Sequence, residues 1–322
     1  MLNTRGLEIG YGEKVICRDI NVKVNTNEMV CLLGQNGVGK STLLRTLSNL
    51  QPAIAGSVLI NNRDMVSFDH QDLSRTLGIV TTDRVALPNM TVYELVSLGR
   101  YPYTNWLGRL TTTDEQKINE SVALCRIDYI IDKKMGDLSD GQKQKAMIAR
   151  ALAQDTKIIL LDEPTAHLDL INRAEIMQLL SEIKVDKSIV ISTHELALSM
   201  QFADKLWLMN FNQPIQAGTP EDLALSGAIN KSFHEEQFEI DVLTGNVKFQ
   251  NPAYRYVHLI GEGKAFEWTK HALERLGYGL HAKSETSIEV ELKPDGLAWR
   301  IKEDGRSVSG VTIDELARHL DK

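Results

Sequence analysis

Short apolar runs alternate with helical stretches along most of this chain. Three runs rich in Val, Ile and Leu are followed at once by turn or polar residues: 29–33, 158–161 and 188–191. Such runs are typical of strands that are buried on both faces of a parallel sheet. Helices are predicted between them at 40–50, 139–154 and 172–184. Strand followed by helix, repeated, predicts a βαβ architecture with its ligand at the carboxyl ends of the strands.

The pattern changes near the end of the chain. Residues 238–249 alternate apolar and polar positions around a turn at 244–246, which predicts a β-hairpin. After Asn251 and Pro252 come further strand-like and helical stretches, at 254–261, 264–277, 286–292, 296–302 and 312–320. We therefore predict an α/β domain over 1–250 and a small C-terminal α+β domain over 252–322, whose role the sequence leaves open.

Composition narrows the class of protein. The 322 residues are 43% hydrophobic and 25% charged, as in ordinary globular proteins, and the net charge of -7 argues against a nucleic-acid partner. Cys17, Cys31 and Cys125 are scattered, which predicts buried, reduced thiols. The first residues lack the layout of a signal peptide, and no run of about 18 apolar residues occurs. We expect a cytoplasmic chain that does not itself span a membrane.

The strongest local signal is GQNGVGKST, residues 34–42, which lies between an apolar strand and a helix as a P-loop requires. Its glycines let consecutive backbone N–H groups point inward, and the positive end of the helix dipole favours bound phosphate. Lys40 is expected to reach the β- and γ-phosphates of a nucleotide, and Ser41 to ligate Mg²⁺. The nucleotide-binding residues predicted here are Gly34, Asn36, Gly37, Gly39, Lys40, Ser41 and Thr42.

A second signal is IILLDEPTAHLD, residues 158–169, in which an apolar strand ends in two carboxylates. Asp162 suits the Mg²⁺ shell, and Glu163 could polarise an attacking water. Two adjacent acids could also be a solvated strand end. The P-loop, and a further apolar strand that runs into Ser192, Thr193 and His194, favour the functional interpretation.

These motifs together resemble the nucleotide-binding subunits of ABC transporters. GQNGVGKST, LSDGQ, LLDEPTAHLD and STHE stand in the family's order, and the resemblance covers about residues 1–230. It implies a P-loop ATPase domain with a mixed-sheet core and a helical subdomain at about 88–155. It also implies that two such domains pack head to tail around ATP. One P-loop and one signature per chain make a homodimer the economical prediction.

The resemblance assigns further residues by their positions. LSDGQ, residues 138–142, becomes the signature sequence, so that Ser139, Gly141 and Gln142 meet the ATP held by the partner subunit. A purely structural N-cap at Ser139 is compatible with that role. Other implied roles are adenine stacking by Tyr11, a dimer contact by Asp169 and γ-phosphate sensing by His194. The implied catalytic residues are Glu163, His194 and Lys40.

Two positions depart from the family's pattern. Thr82 stands about where a glutamine is usual. Its hydroxyl can still hydrogen-bond a water but lacks the separate donor and acceptor of an amide, and the sequence leaves open whether Thr82 or the neighbouring Asp83 replaces the glutamine. Asp140 replaces the commonest glycine of the signature. A carboxylate beside a triphosphate would be repelled, so we expect the Asp140 side chain to point away from the phosphate site.

One stretch points to the kind of transporter. TVYELVSLGRYPYTNWLGRLTTTDEQ, residues 91–116, resembles the start of the helical subdomain in importers of the iron-siderophore, haem and cobalamin group. The resemblance implies an Mg²⁺-dependent ATPase, peripheral on the cytoplasmic face of the cell membrane. Its implied partners are a separate permease and, indirectly, a substrate-binding protein. The alternatives are the ATPase of an ABC exporter, a soluble ABC ATPase without a transport role, and a non-catalytic nucleotide-binding regulator.

Overall fold

The structure is a computed structural model that describes residues 1–81, 88–233, 238–241, 245–249, 253–294, 296–303 and 305–320. The chain forms two compact units. The first unit comprises Met1–His234 with Ile240–Val247, and the second comprises Glu235–Glu239 with Lys248–Lys322. Asn251 and Pro252, where the sequence predicts the domain boundary, lie outside the described residues. That boundary therefore stays a prediction.

The first unit contains eleven strands, nine α-helices and four short 3-10 helices among its described residues before the hairpin. The strands are β1 (Leu2–Tyr11), β2 (Lys14–Ile20), β3 (Lys23–Val24), β4 (Met29–Leu33), β5 (Ala55–Ile60), β6 (Arg63–Asp64), β7 (Leu77–Val80), β8 (Ile158–Asp162), β9 (Ser188–Thr193), β10 (Lys205–Leu208) and β11 (Gln216–Gly218). The helices are α1 (Lys40–Leu47), α2 (His70–Thr76), α3 (Val92–Ser97), α4 (Thr112–Leu124), α5 (Asp140–Ala153), α6 (Leu170–Ile183), α7 (Leu196–Phe202), α8 (Pro220–Leu225) and α9 (Ala228–Ser232).

The central sheet has the strand order β11-β10-β4-β9-β8-β7. All neighbours in it are parallel except β11, which runs antiparallel to β10. Every residue of β4, β8 and β9 is buried, as the apolar runs of the sequence predict for strands covered on both faces. A second, antiparallel sheet has the order β2-β1-β5-β6, with β3 paired to β1.

Alternating side chains of the central sheet belong to two separate core clusters. Met29, Cys31 and Leu33 of β4 pack in a cluster with apolar residues of α3, α4, α5 and α6. Val30 and Leu32 face the other way and pack with α1 and the antiparallel sheet. The unit is therefore layered, with helices on one side of the central sheet and α1 with the antiparallel sheet on the other. This mixed α/β arrangement confirms the predicted fold class.

A hairpin follows α9, formed by β12 (Phe238–Asp241) and β13 (Asn246–Phe249), as the sequence predicts. The remaining elements belong to the second unit: β14 (Arg255–Ile260), α10 (Gly263–Arg275), β15 (Tyr278–Leu280), β16 (Ser287–Lys293), β17 (Gly296–Glu303), β18 (Arg306–Gly310) and α11 (Ile313–Leu320). Their sheet has the order β15-β14-β16-β17-β18, in which β14 is parallel to both of its neighbours. Its core includes Val257, Leu273, Ile288, Trp299 and Leu316.

Two expectations from composition can be compared with the structure. Cys17, Cys31 and Cys125 are free and buried, which confirms the prediction of reduced thiols. Burial raises the pKa of Cys31 and of Cys125 to about 12, so both thiols stay protonated and act as small apolar side chains. Among the described residues, no helix is long and apolar enough to cross a bilayer.

Candidate active site

The register of the central sheet brings three loops to one edge. β4 and β9 are paired with Leu33 opposite Thr193, and β8 and β9 with Asp162 opposite Ser192. Parallel strands in this register end at the same edge of the sheet. The loop after Leu33, the acids at the end of β8 and His194 after β9 therefore meet where an α/β sheet binds its ligands.

The loop between β4 and α1 depends on its glycines. Gly39 has φ +114°, and a Cβ there would lie 2.7 Å from Cγ2 of Ile16. A Cβ on Gly34 would collide with the backbone carbonyl of Met209. α1 begins at Lys40, directly after the loop, so the unpaired N–H groups of its first turn lie at the loop. The glycines are needed for backbone conformation and for close packing, which is the arrangement of a phosphate-binding loop.

Lys40 lies at the mouth of this loop. Its Nζ donates hydrogen bonds to the carbonyl oxygens of Gly34 (2.8 Å) and Gln35 (3.2 Å), and lies 3.8 Å from Oε1 of Glu163. The side chain is only 7% exposed. Burial lowers the pKa of Lys40, and the carboxylates of Glu163 and Asp162 act in the opposite direction. The ammonium is thus held among acceptors that an anionic phosphate can replace.

Ser41 and Asp162 form the pair that the sequence proposes for Mg²⁺. Ser41 Oγ donates to Oδ1 of Asp162 at 3.0 Å, and Ser192 Oγ donates to the same oxygen at 2.5 Å. Adjacent ligands in an octahedral Mg²⁺ site lie about 2.9 Å apart, so the Ser41 and Asp162 oxygens have a suitable spacing. Among the described residues no group of three His, Cys, Asp or Glu side chains could hold a metal. A bound Mg²⁺ would take its other ligands from phosphate and water.

Glu163 and His194 face each other across the same edge. Oε2 of Glu163 lies 2.9 Å from Nδ1 of His194, and the glutamate side chain is 16% exposed. The backbone of Glu163 has φ +48°, and its N–H donates to both the carbonyl oxygen and Oγ of Ser192, each at 3.0 Å. The carboxylate is therefore held in one place between an ammonium and an imidazole. It can accept a proton from a water there.

An open cavity of about 620 Å³ connects these groups. Its lining consists of Tyr11, Ile16, Asn36, Gly37, Gly39, Lys40, Ser41, Thr42, Glu163, Ala166 and His194. Of the predicted loop residues only Gly34 is missing from this lining, and its carbonyl oxygen holds Lys40. Tyr11 OH lies 3.2 Å from Oγ1 of Thr42, and the tyrosine is 54% exposed. The tyrosine ring is therefore available to a ligand in the cavity.

The residues predicted to act across a dimer do not line this cavity. Ser139 is the N-cap of α5: its oxygen accepts the Gln142 N–H at 3.3 Å, and Gln142 Oε1 accepts the Ser139 N–H at 3.0 Å. Gly141 is buried, and a Cβ there would lie 2.7 Å from Oδ1 of Asn172. The cap leaves the start of α5 in a defined conformation at an exposed position.

Asp140 in the signature sequence and Asp169 before α6 differ in their contacts. Asp140 is exposed, and its Oδ1 lies 3.9 Å from the ammonium of Lys143, one turn further along α5. That its carboxylate points away from the partner's phosphate stays a prediction. Asp169 caps α6 and accepts hydrogen bonds from the backbone N–H (2.8 Å) and side-chain Nδ2 (2.7 Å) of Asn172. These bonds hold the pKa of Asp169 below its ordinary value. Thr82 and Asp83 lie outside the described residues.

Several contributors to the site received no role from the sequence. Ile16 and Ala166 line the cavity, and Ser192 holds both Asp162 and the backbone of Glu163. Ala166 lies within LLDEPTAHLD and Ser192 within STHE, but the motifs assign neither residue a role. Ile16 gives no comparable signal, because it is one of several apolar residues in an ordinary strand.

Comparison with known proteins identifies the family. Residues 17–166 match the family model described as ABC transporter, and residues 254–321 match that of the iron ABC transporter C-terminal domain. Residues 134–200 also match a model of an AAA domain described for a putative AbiEii toxin. The chain is 36% identical to an uncharacterized ABC transporter ATP-binding protein of Methanocaldococcus jannaschii, with 78% of this chain and 87% of that protein covered. This chain belongs to the ABC transporter ATP-binding proteins.

Two further similarities concern this ABC ATPase. It is 36% identical to the probable siderophore transport system ATP-binding protein YusV of Bacillus subtilis, over 72% of this chain and 85% of that protein. It also superposes on a bacterial ABC transporter cassette solved as a dimer, with a TM-score of 0.59 and 25% identity, over 68% of this chain and 98% of that one. The predicted family is confirmed, and with it ATP hydrolysis as the activity of the chain.

Proposed function

We propose that this ABC ATPase powers the uptake of an iron-siderophore, haem or cobalamin-type substrate through a separate permease. The match of residues 254–321 to the iron ABC transporter C-terminal domain carries the proposal, because the ATPase cassette alone is common to all ABC transporters. The 36% identity to a siderophore-system ATP-binding protein supports it. A substrate-binding protein would deliver the cargo to the permease and meet this subunit only indirectly.

The geometry of the cavity supports a specific division of labour during hydrolysis. Lys40 and Thr42, with the backbone of the P-loop, would bind the phosphates. Ser41 and Asp162 would hold Mg²⁺, which supplies charge neutralisation at the phosphate oxygens. Glu163 would take the proton of the attacking water, because its fixed carboxylate faces the cavity. His194, at 2.9 Å from Glu163, would orient that water and the γ-phosphate.

The active form in this proposal is a homodimer with two composite sites. Ser139, Gly141, Gln142 and Asp169 lie outside the cavity of their own chain and would complete the site of the partner. The capping box fixes the exposed Ser139 and Asp140 at the start of α5, and the buried Gly141 packs closely against Asn172. The similarity to a cassette solved as a dimer supports this assembly.

A stretch of exposed apolar side chains is the surface that we assign to the permease. Leu98 (46% exposed), Tyr101 (77%), Trp106 (91%) and Leu107 (52%) lie within ten residues of one another in the segment between α3 and α4. Large apolar side chains at this density are typical of a surface that another protein covers. A permease bound there would hold the ATPase at the cytoplasmic face of the cell membrane.

Purification of the tagged full chain from membranes in mild detergent tests the transport assignment. We expect a permease with many helices to co-purify, and deletion of the chain to abolish uptake of radioactive iron supplied as a ferric siderophore. Tyr101→Ser with Trp106→Ser is expected to reduce the amount of co-purified permease without lowering ATP binding. Recovery of an exporter's permease, or of a soluble dimer alone, would contradict the proposal.

A further inference from the structure

His194 has a second carboxylate neighbour that the proposed chemistry does not use. Nδ1 of the ring faces Glu163, while Nε2 lies 3.3 Å from Oε1 of Glu195. The Glu195 side chain is 18% exposed, against 51% for the histidine. The imidazole therefore lies between two carboxylates, of which Glu195 is on the side opposite to the predicted base. Glu195 does not line the cavity.

Arg173 fixes the position of Glu195. Nη1 of Arg173 donates to Oε1 of Glu195 at 2.5 Å, and this is the oxygen that faces the histidine. Nε of the same guanidinium donates to the backbone carbonyl of Leu168 at 2.7 Å. Because the guanidinium is planar and its donors keep fixed directions, the two bonds together set the orientation of the carboxylate.

The pair joins the two loops that carry the predicted hydrolytic residues. Arg173 is in the first turn of α6, where its N–H donates to the carbonyl oxygen of Asp169. Glu195 precedes α7, and its N–H donates to Oγ1 of Thr193 at 3.1 Å. The loop after β8 and the loop after β9 are thus connected through one ion pair. The connection ends at the residue predicted to contact the partner subunit, Asp169.

Stability alone is a weak reason for this pair. Partly exposed ion pairs contribute about 0–1 kcal/mol to folding, and Arg173 is 32% exposed. The shared oxygen is the informative feature. A neutral imidazole has only one N–H to donate, so it cannot satisfy carboxylates at both nitrogens. The positive charge of Arg173 offsets the negative charge of Glu195. The histidine ring can therefore keep its Nδ1 directed towards Glu163.

We propose that Glu195 and Arg173 are positioning residues for ATP hydrolysis. They hold the His194 ring in the orientation that faces Glu163, and they link this orientation to the Leu168–Asp169 segment. The inference rests on the roles of His194 and Glu163 in the proposed function. It adds to the proposed function two residues that do not line the nucleotide cavity. It also adds a connection within the chain from His194, after β9, to Asp169, the predicted dimer contact.

The test is steady-state ATP hydrolysis by the full chain with Glu195→Gln or Arg173→Gln. We expect kcat to fall about 10-fold in each, the lower end of what loss of an orienting partner costs at histidine ligands of metals. KM for ATP and the affinity for ADP are expected to stay unchanged, because neither side chain lines the cavity. The double variant is expected to match the single ones. Arg173→Lys is expected to have the same lowered kcat as Arg173→Gln, because an ammonium cannot replace the fixed donor directions of the guanidinium.

A His194→Ala background separates positioning from general structural support. There we expect Glu195→Gln to add no further loss, since its effect passes through the ring. Single-turnover measurements with enzyme in excess give the rates if steady-state turnover is too slow. The matched control is Glu175→Gln on the same helix, whose carboxylate lies 2.6 Å from Lys145 and outside the site; its kcat is expected to be unchanged.

The outcomes distinguish this inference from the proposed function. Two results would overturn the positioning role, provided that His194→Ala alone still abolishes turnover. One is a wild-type kcat in Glu195→Gln; the other is that Glu195→Gln lowers the rate by the same factor in the wild-type and His194→Ala backgrounds. If His194→Ala itself hydrolyses ATP normally, the proposed role of the histidine is wrong. If Glu195→Gln lowers both kcat and the melting temperature and Glu175→Gln lowers neither, the Arg173–Glu195 pair has a structural role.

Discussion

At the scale of single residues, Glu163 shows how the backbone prepares the site. Its φ of +48° lies in the left-handed region, which costs a non-glycine residue about 1–3 kcal/mol. Two hydrogen bonds from its N–H to Ser192 maintain this conformation. The result is a carboxylate that leaves the strand direction and turns to Lys40 and His194. Sequence adjacency to Asp162 does not account for that direction.

Glu163→Gln tests the assignment of the general base. The amide keeps the shape of the side chain but cannot accept a proton, so we expect turnover to fall by about 100-fold or more. ATP binding is expected to survive, and the closed dimer to accumulate in gel filtration with ATP and Mg²⁺. The control is Lys40→Ala, which is expected to weaken nucleotide binding itself. Normal turnover in Glu163→Gln would show that the base lies elsewhere.

Tyr11 provides a second test at this scale, because its ring is exposed beside the cavity and its hydroxyl touches Thr42. If the ring stacks on adenine, Tyr11→Ala is expected to weaken ATP binding by about 1–3 kcal/mol. Tyr11→Phe keeps the ring and loses only the hydroxyl, so we expect it to bind like the wild type. Calorimetric titration of each variant with ATP and with inorganic triphosphate measures the binding free energies. Equal loss for the two ligands would exclude adenine stacking.

At the scale of elements, a buried ion pair joins the segment 98–103 to α4 and α5. Arg100 Nε donates to Oδ1 of Asp114 at 2.8 Å, and its Nη1 donates to the carbonyl oxygen of Ala153 at 2.7 Å. Both side chains of the pair are about 5% exposed or less. Asp114 also forms the capping box of α4 with Thr111. The Arg100 guanidinium thus connects the start of α4 with the end of α5.

Asp114→Asn is expected to destabilise the protein by about 3 kcal/mol, because it leaves the buried Arg100 without its counter-charge. Urea denaturation measures the change. Glu120→Gln on the same helix removes an exposed pair with Lys117 and is expected to change stability by no more than about 0.5 kcal/mol. Equal effects of the two substitutions would contradict a special role for the buried pair.

The pH dependence of this effect has a definite sign. Burial acts to raise the pKa of Asp114, but hydrogen bonds from Thr111 and Arg100 outweigh it and hold the pKa below the ordinary 3.8. A lowered folded-state pKa gives stability that is present above the unfolded value and is lost as the pH falls through the folded one. We expect the difference between wild type and Asp114→Asn to be constant from neutral pH to about 4 and to shrink below it.

At the scale of the whole molecule, the proposed dimer predicts complementation. A heterodimer of a Lys40→Ala chain and a Ser139→Arg chain has one site with both lesions and one site with neither. Because each homodimer carries a lesion in both sites, neither is expected to hydrolyse ATP. Co-expression with two different tags is expected to restore activity, measured as phosphate release by the doubly purified dimer. A mixture as inactive as its parents would indicate that each site is built within one chain.

Much of the element pattern follows from local sequence. β4 spans the residues predicted for it, and α5 and α6 begin and end within about two residues of their predicted bounds, which is the usual error at helix ends. In the second unit the sequence does not reveal β15 (Tyr278–Leu280) or β18 (Arg306–Gly310). β15 has three residues and β18 is mostly exposed, so neither shows a readable alternation. Their pairing with β14 and β17 forms the strands.

The sequence by itself determined the residues whose chemistry is local. The P-loop, the acids after β8 and the cap at Ser139 are contiguous motifs, and their shapes follow from glycines, buried strands and side-chain caps. Only the tertiary structure decided what meets across the sheet edge: Ser192 with Asp162, His194 with Glu163, and Arg173 with Glu195. These pairs are separated by 22 to 31 residues in the chain. The parallel register of β8 and β9 and the packing of α6 bring them together, and no local pattern encodes such a distance.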